Sequence, residues 1–322
     1  MPIDPKLQAI LDADKALGLP PTEQQTPEQL RSGLAQLMAR FPPMPQYSAV
    51  TVEARTVVQN RRSIPARVYT PPGEPPFPII VLFHGGGWVN GSLDSHEPYC
   101  RALATEASVV VVSVDYRLAP EHRFPAGLED CTNATLWVMA HAAELKGAPE
   151  QVLVGGDSAG ATLATVVALL LRDREVSPSL AGQILLYPVT AHYDPPTSSY
   201  LENSEGYGLT RNAMIWFWDH YLGDRNEATN PLVAPLLAPD LSRLPPAFVV
   251  TAQYDVLRDE GDAYARRLAE ARVLVTHLYV EGMNHGFAAS PKEFPYLDQA
   301  HTVLRGVADW IAAILQQIEL NK

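Results

Sequence analysis

Residues 151–171 read QVLVGGDSAGATLATVVALLL. An apolar run, Gln151 to Gly155, has strand character, and Ala161 to Leu171 is a helix-forming apolar segment. Between them stands Gly156-Asp157-Ser158-Ala159-Gly160, a Gly-x-Ser-x-Gly placed where a strand must turn into a helix. So tight a turn needs flanks without large side chains and leaves the central serine exposed in a strained backbone conformation. Ser158 then lies at a helix N-terminus, where amides point toward incoming negative charge, and the N–H of Ala159 is a candidate oxyanion donor. A glycine-rich turn whose serine merely caps the helix is the plainer alternative. The strand before and the helix after favour a nucleophile elbow.

Working outward, the same alternation recurs. Short continuous apolar runs at Ile79–Phe83, Val109–Val114, Val152–Val154, Ile184–Tyr187, Phe248–Ala252 and Val273–Val280 are mostly separated by amphipathic stretches: Glu97–Ala107, Ala126–Ala143, Ala159–Arg172 and Glu260–Ala271. Continuous apolar strands between helices indicate an α/β fold whose parallel sheet is covered on both faces. Ala49–Val58 and Ile64–Tyr69, joined by Gln59-Asn60-Arg61-Arg62, read as an antiparallel hairpin, giving eight strands in all. Tyr296–Ile318 reads as a closing helix. The last strand is a candidate exposed edge.

Two segments stand outside the alternation. Residues 1–47 carry two amphipathic helices, Asp4–Leu17 and Thr26–Arg40, closed by Phe41-Pro42-Pro43. Residues 191–225 hold a turn-rich piece and the aromatic helix Arg211–Leu222. Many of the 29 prolines fall at 20–21, 42–45, 71–78, 195–196 and 245–246, in the connections such a division needs.

The chain has 322 residues, 47% hydrophobic, and a net charge of −12. That acidity repels phosphate backbones and anionic lipid, so nucleic acid and membrane surfaces are poor partners. Two cysteines, Cys100 and Cys131, make no disulfide framework. No apolar stretch is long enough to span a bilayer, and the N-terminus has no apolar core of a signal peptide. The expected address is cytoplasmic.

A serine nucleophile needs a base held by an acid, in the chain order serine, acid, histidine on this fold. Asp255 follows the strand Phe248–Ala252. His285 follows the last strand, flanked by Gly282 and Gly286. Asp259, Glu260 and Asp262 fall in the next helix pattern, where a solvated face is expected, and the other histidines lack the glycine-flanked setting. His84-Gly85-Gly86-Gly87-Trp88 directly follows a strand. Three glycines imply a backbone that comes close to something or takes positive φ, and Gly86 and Gly87 are the preferred oxyanion donors. Asp94, His96 and Glu97 imitate metal ligands but lack a third ligand set at suitable spacing, so a solvated loop is expected, with no metal and no cofactor.

These motifs, with Asp115-Tyr116-Arg117-Leu118-Ala119-Pro120-Glu121 between them, together resemble the bacterial hormone-sensitive-lipase family of α/β-hydrolase esterases, in order over nearly the whole chain. The resemblance implies Ser158, Asp255 and His285 as a catalytic triad, Gly86, Gly87 and Ala159 as the oxyanion hole, and carboxylic ester hydrolysis. It also implies a cap made of 1–47 and 191–225 over a catalytic core of 48–190 and 226–322. The family's Asp-Pro-Leu stands here as Asp255-Val256-Leu257, a change in turn shape and not in chemistry. Asp115, Arg117 and Glu121 are expected to pair charges beneath the glycine loop. Trp88, Leu209, Met214, Phe217 and Phe287 are candidate walls for an ester of short to medium chain length. The alternatives are a lipase or an amide hydrolase using the same triad, and a receptor of the gibberellin-receptor kind, which lacks a working triad. A homodimer is a further expectation.

Overall fold

The computed structural model describes residues 1–40 and 44–320. Phe41-Pro42-Pro43, expected to close the second helix, lies outside the described residues. Two helices come first, α1 (Pro5–Ala16) and α2 (Pro27–Met38), each with proline in its first turn. Asp4 caps α1, and Thr26 with Gln29 forms a reciprocal capping box on α2. The hairpin follows as β1 (Thr51–Gln59) and β2 (Arg62–Thr70). Its turn is only two residues, Asn60 and Arg61, both at positive φ (49° and 63°), as a tight turn matched to strand twist demands.

The alternating region is β3 (Phe77–Phe83), α3 (Glu97–Glu106), β4 (Val110–Val114), α4 (Ala126–Ala140), β5 (Gly147–Asp157), α5 (Ala159–Asp173) and β6 (Gly182–Leu186). Then come α6 (Ser198–Glu202) and α7 (Arg211–Tyr221). The chain finishes with β7 (Ala247–Tyr254), α8 (Arg258–Glu270), β8 (Val275–Asn284) and α9 (Asp298–Leu320). The strands form one sheet in the order β1-β2-β4-β3-β5-β6-β7-β8. β1, β2 and β4 pair antiparallel, and β4-β3-β5-β6-β7-β8 pair parallel. The chain therefore has the eight-stranded, mostly parallel α/β-hydrolase arrangement expected, with β8 at an edge.

Period-two alternation divides the core between the two faces. In β3, Ile79, Val81 and Phe83 join the cluster with α4, α5 and α7, whereas Ile80 and Leu82 join that with α3 and α9. In α1 only Leu7 is fully buried, and Leu17, just past its end, is exposed. The amide of Asp4 donates to Gly282 O, Lys6 pairs with Asp298, and Asp14 with Lys292, which docks α1 beside β8 and α9.

Candidate active site

The elbow is built by close packing. A Cβ on Gly160 would lie 1.9 Å from Phe83 O, and one on Gly156 would lie 2.5 Å from the Gly160 carbonyl carbon. Only hydrogen fits at either place, so β5 and α5 can meet over β3. Ser158, at the corner, has φ 53° and ψ −124°, a strained conformation for a residue with a side chain. Its amide donates to Leu186 O at 2.8 Å, which fixes the corner to β6.

Ser158 Oγ lies 2.9 Å from His285 Nε2, and His285 Nδ1 lies 2.8 Å from Asp255 Oδ2. Because a carboxylate only accepts, Nδ1 carries the proton and Nε2 is left to accept from the serine hydroxyl. Asp255 is buried, and its other oxygen accepts from the Leu257 amide at 2.9 Å. Asn203 Nδ2 donates to the Asp255 carbonyl at 3.1 Å. The Tyr187 ring meets the imidazole edge-on at 4.7 Å and limits its rotation. Neither Tyr187 nor Asn203 carries a motif that would have singled it out.

Beyond β3, Gly86 has φ 118° and Gly87 φ 61°. A Cβ on Gly87 would lie 2.3 Å from the Phe217 ring of α7. The N–H groups of Gly86 and Gly87 make no backbone–backbone hydrogen bond among the described residues. Ala159, the first residue of α5, is among the amides that a helix leaves free. Gly86, Gly87 and Ala159 thus carry amides of the kind an oxyanion needs.

Of the five candidate pocket residues, Phe287 is not available: it is fully buried between Tyr187 and the α9 side of the core. Trp88 is also interior, stacked on Tyr221 at 4.2 Å and tilted against Trp218 at 4.7 Å, and Met214 is buried beside them. Leu209 is half-buried, and Phe217 covers Gly87.

Several expectations about charges are corrected. Asp259, Glu260 and Asp262 do not form a solvated face. Asp259 accepts from the Ser199 amide, and Asp262 from Thr251 Oγ1. Glu260 is buried, because the amides of Thr190 and Ala191 leaving β6 need an acceptor and find its Oε1 at 2.7 and 3.1 Å. Burial pushes its carboxyl up to about 8 against the opposing pull of those two amides. His96 is not on a solvated loop but buried, 3.0 Å from Asp157 Oδ1, whereas Asp94 and Glu97 pair with Arg67. Arg117 and Glu121 do not pair with each other beneath the glycine loop. Arg117 binds Asp130 and Glu129, Glu121 binds Arg31 of α2, and Asp115 belongs to neither pair. Among the described residues no group of three or more His, Cys, Asp or Glu side chains is placed to hold a metal ion.

Residues 80–289 match the model of a protein family described by its α/β-hydrolase fold. The chain is 41% identical to carboxylesterase NlhH of Mycobacterium tuberculosis over 88% of each protein. It is 33% identical to an arylesterase of Saccharolobus solfataricus, covering 91% of this chain and 94% of that one. The crystal structure of a thermostable esterase from Pseudomonas putida superposes with a TM-score of 0.91 at 34% identity, covering 98% of both chains.

Proposed function

Since the chain belongs to the hormone-sensitive-lipase-like carboxylesterases of the α/β-hydrolase superfamily, we propose that Ser158, His285 and Asp255 are its catalytic triad and that Gly86, Gly87 and Ala159 form its oxyanion hole. The observation that carries this reading is the unbroken relay from Ser158 Oγ through both nitrogens of His285 to Asp255. Ser158 attacks the ester carbonyl while His285 Nε2 takes its proton, and Asp255 steadies the imidazolium that results. The carbonyl oxygen becomes an oxyanion and is met by the three amides. Collapse expels the alcohol, protonated by His285, and water activated by the same histidine frees the acid from the acyl-enzyme. One lost amide donor would cost about 100-fold in rate.

The substrates are proposed to be soluble esters of short to medium chain length. Residues 1–47 and 191–225 act as a cap over the core of 48–190 and 226–322, with Phe217 and Leu209 facing the acyl group. The contact of the Phe217 ring with Gly87 supports this, because it brings a bulky wall against the donors. A cytoplasmic location accords with two free, buried cysteines, and no helix among the described residues is long and apolar enough to cross a membrane. A series of nitrophenyl esters tests the substrate range. Maximal kcat/KM is expected between the acetyl and octanoyl esters. A maximum at twelve carbons or more, or activity appearing only above the solubility limit, contradicts it and favours a lipase. Matched amides should turn over far more slowly than the esters.

A further inference from the structure

Asp157, inside the elbow between Gly156 and Ser158, has no part in the relay, yet it is buried in direct contact with the glycine loop. Its Oδ1 accepts from the Gly85 amide at 2.8 Å and lies 3.0 Å from His96 Nε2. His96 is itself anchored, with Nδ1 2.8 Å from Ser95 Oγ, which also bonds Ser92 O at 2.9 Å. On the preceding residue, Tyr116 stacks on the His84 ring at 4.3 Å and donates its hydroxyl to His84 O at 2.7 Å. The backbone entering Gly86 is therefore gripped at His84 C=O and at Gly85 N–H. The second grip comes from the residue adjacent to the nucleophile. Gly85 fits there only without a side chain, since a Cβ would lie 2.3 Å from Asp157 Oδ2.

We propose that Asp157, held by His96, is a positioning residue that locks the Gly85–Gly87 loop to the nucleophile elbow, so that the Gly86 and Gly87 amides are set relative to Ser158 before substrate arrives. This rests on the oxyanion hole proposed above. Oxyanion stabilisation is effective only if its donors are preorganised, because donors that must reorient during reaction forfeit much of their contribution. Burial pushes the Asp157 carboxyl up, but the His96 imidazole and the Gly85 amide outweigh that and leave it below its usual value, so it stays an acceptor for both groups.

The test compares Asp157→Leu, nearly isosteric but unable to accept, with Asp157→Asn, which keeps one carbonyl oxygen for both donors. The readouts are kcat and KM on nitrophenyl butyrate and Ki for a butyl trifluoromethyl ketone, which forms a tetrahedral oxyanion at the serine. Asp157→Leu is expected to lose about 100-fold in kcat, by the cost of a lost oxyanion donor, with KM within about 3-fold and Ki weakened in step with kcat/KM. Asp157→Asn is expected to recover to within about 5-fold of wild type. Asp157→Ala carries the Leu expectation if Asp157→Leu fails to fold. The proposal is overturned if a folded Leu or Ala variant keeps kcat within about 5-fold, if kcat falls without weakening of Ki, if Asn is as impaired as Leu, or if neither Leu nor Ala folds, which makes Asp157 a folding residue. Should the wild-type enzyme itself be insensitive to the ketone, the triad and oxyanion reading fails first, a result distinct from the variants' behaviour.

Discussion

Ser158, in an unfavourable φ/ψ region, and Glu260, a carboxyl without full solvation, show the same principle at the residue scale: the fold holds individual groups where they would not rest alone. For Glu260 the consequence is a measurable pH dependence. The folded state keeps its proton up to about 8, whereas the unfolded chain releases it near the ordinary value of 4.5. Between those limits the native state binds more protons than the unfolded one, so this residue lowers stability as pH rises. Glu260→Gln imitates the protonated form and removes the dependence. Thermal melts from pH 5 to pH 9 should show the variant's Tm gaining on wild type up to about pH 8 and levelling off beyond it, where the folded wild type also loses the proton. A constant difference across that range would contradict a raised Glu260. Ser158, Asp255 and His285 were legible in the sequence because each announces itself locally, Ser158 and His285 through glycine flanks and all three through a position just after an apolar strand. Glu260, His96 and Asp157 were not. Their burial is decided by segments distant in sequence: the amides at 190 and 191 for Glu260, and the meeting of the β3 loop with the β5 elbow for the other two.

Among the elements, strands and helices of the alternating region follow directly from apolar periodicity, and boundaries moved where pairing extends a run. β5 begins at Gly147, earlier than its apolar centre, and β8 continues to Asn284, which delivers His285 at once from the strand. The docking of α2 was not legible, because Glu121 has several possible partners in sequence and only the fold brings Arg31 to it. One guanidinium there donates to Val89 O at 2.8 Å, to Ala119 O at 2.7 Å, and to both oxygens of Glu121 at 2.8 Å. Arg31→Ala leaves two carbonyls without that donor and frees α2 from the chain just beyond the glycine loop. A loss of about 1–3 kcal/mol in urea unfolding is expected, with the ester-series optimum shifting or broadening as the wall loosens. An unchanged unfolding midpoint would show that α2 is held by its apolar face alone.

For the whole molecule, the decisive fact is topological. β3, β5, β7 and β8 run parallel, so the loops after them, bearing Gly85–Gly87, Ser158, Asp255 and His285, emerge along one edge of the sheet. Residues widely spaced along the chain converge because each sits at the same end of its strand. The apolar runs make this readable in the sequence. The sequence was silent on which large apolar residues are enclosed, since nothing in composition separates Trp88, Met214 and Phe287, which the fold buries, from the half-buried Leu209. The central claim is that Ser158 is the single nucleophile of an esterase. Diethyl nitrophenyl phosphate tests it most directly, with nitrophenol release, intact mass and the modified peptide measured on the same sample. One nitrophenol released per chain, one diethylphosphoryl group on Ser158 and complete loss of ester hydrolysis, with Ser158→Ala inert and unlabelled, is the predicted result. A label on another residue, or a folded Ser158→Ala that still hydrolyses esters at a substantial rate, would contradict it.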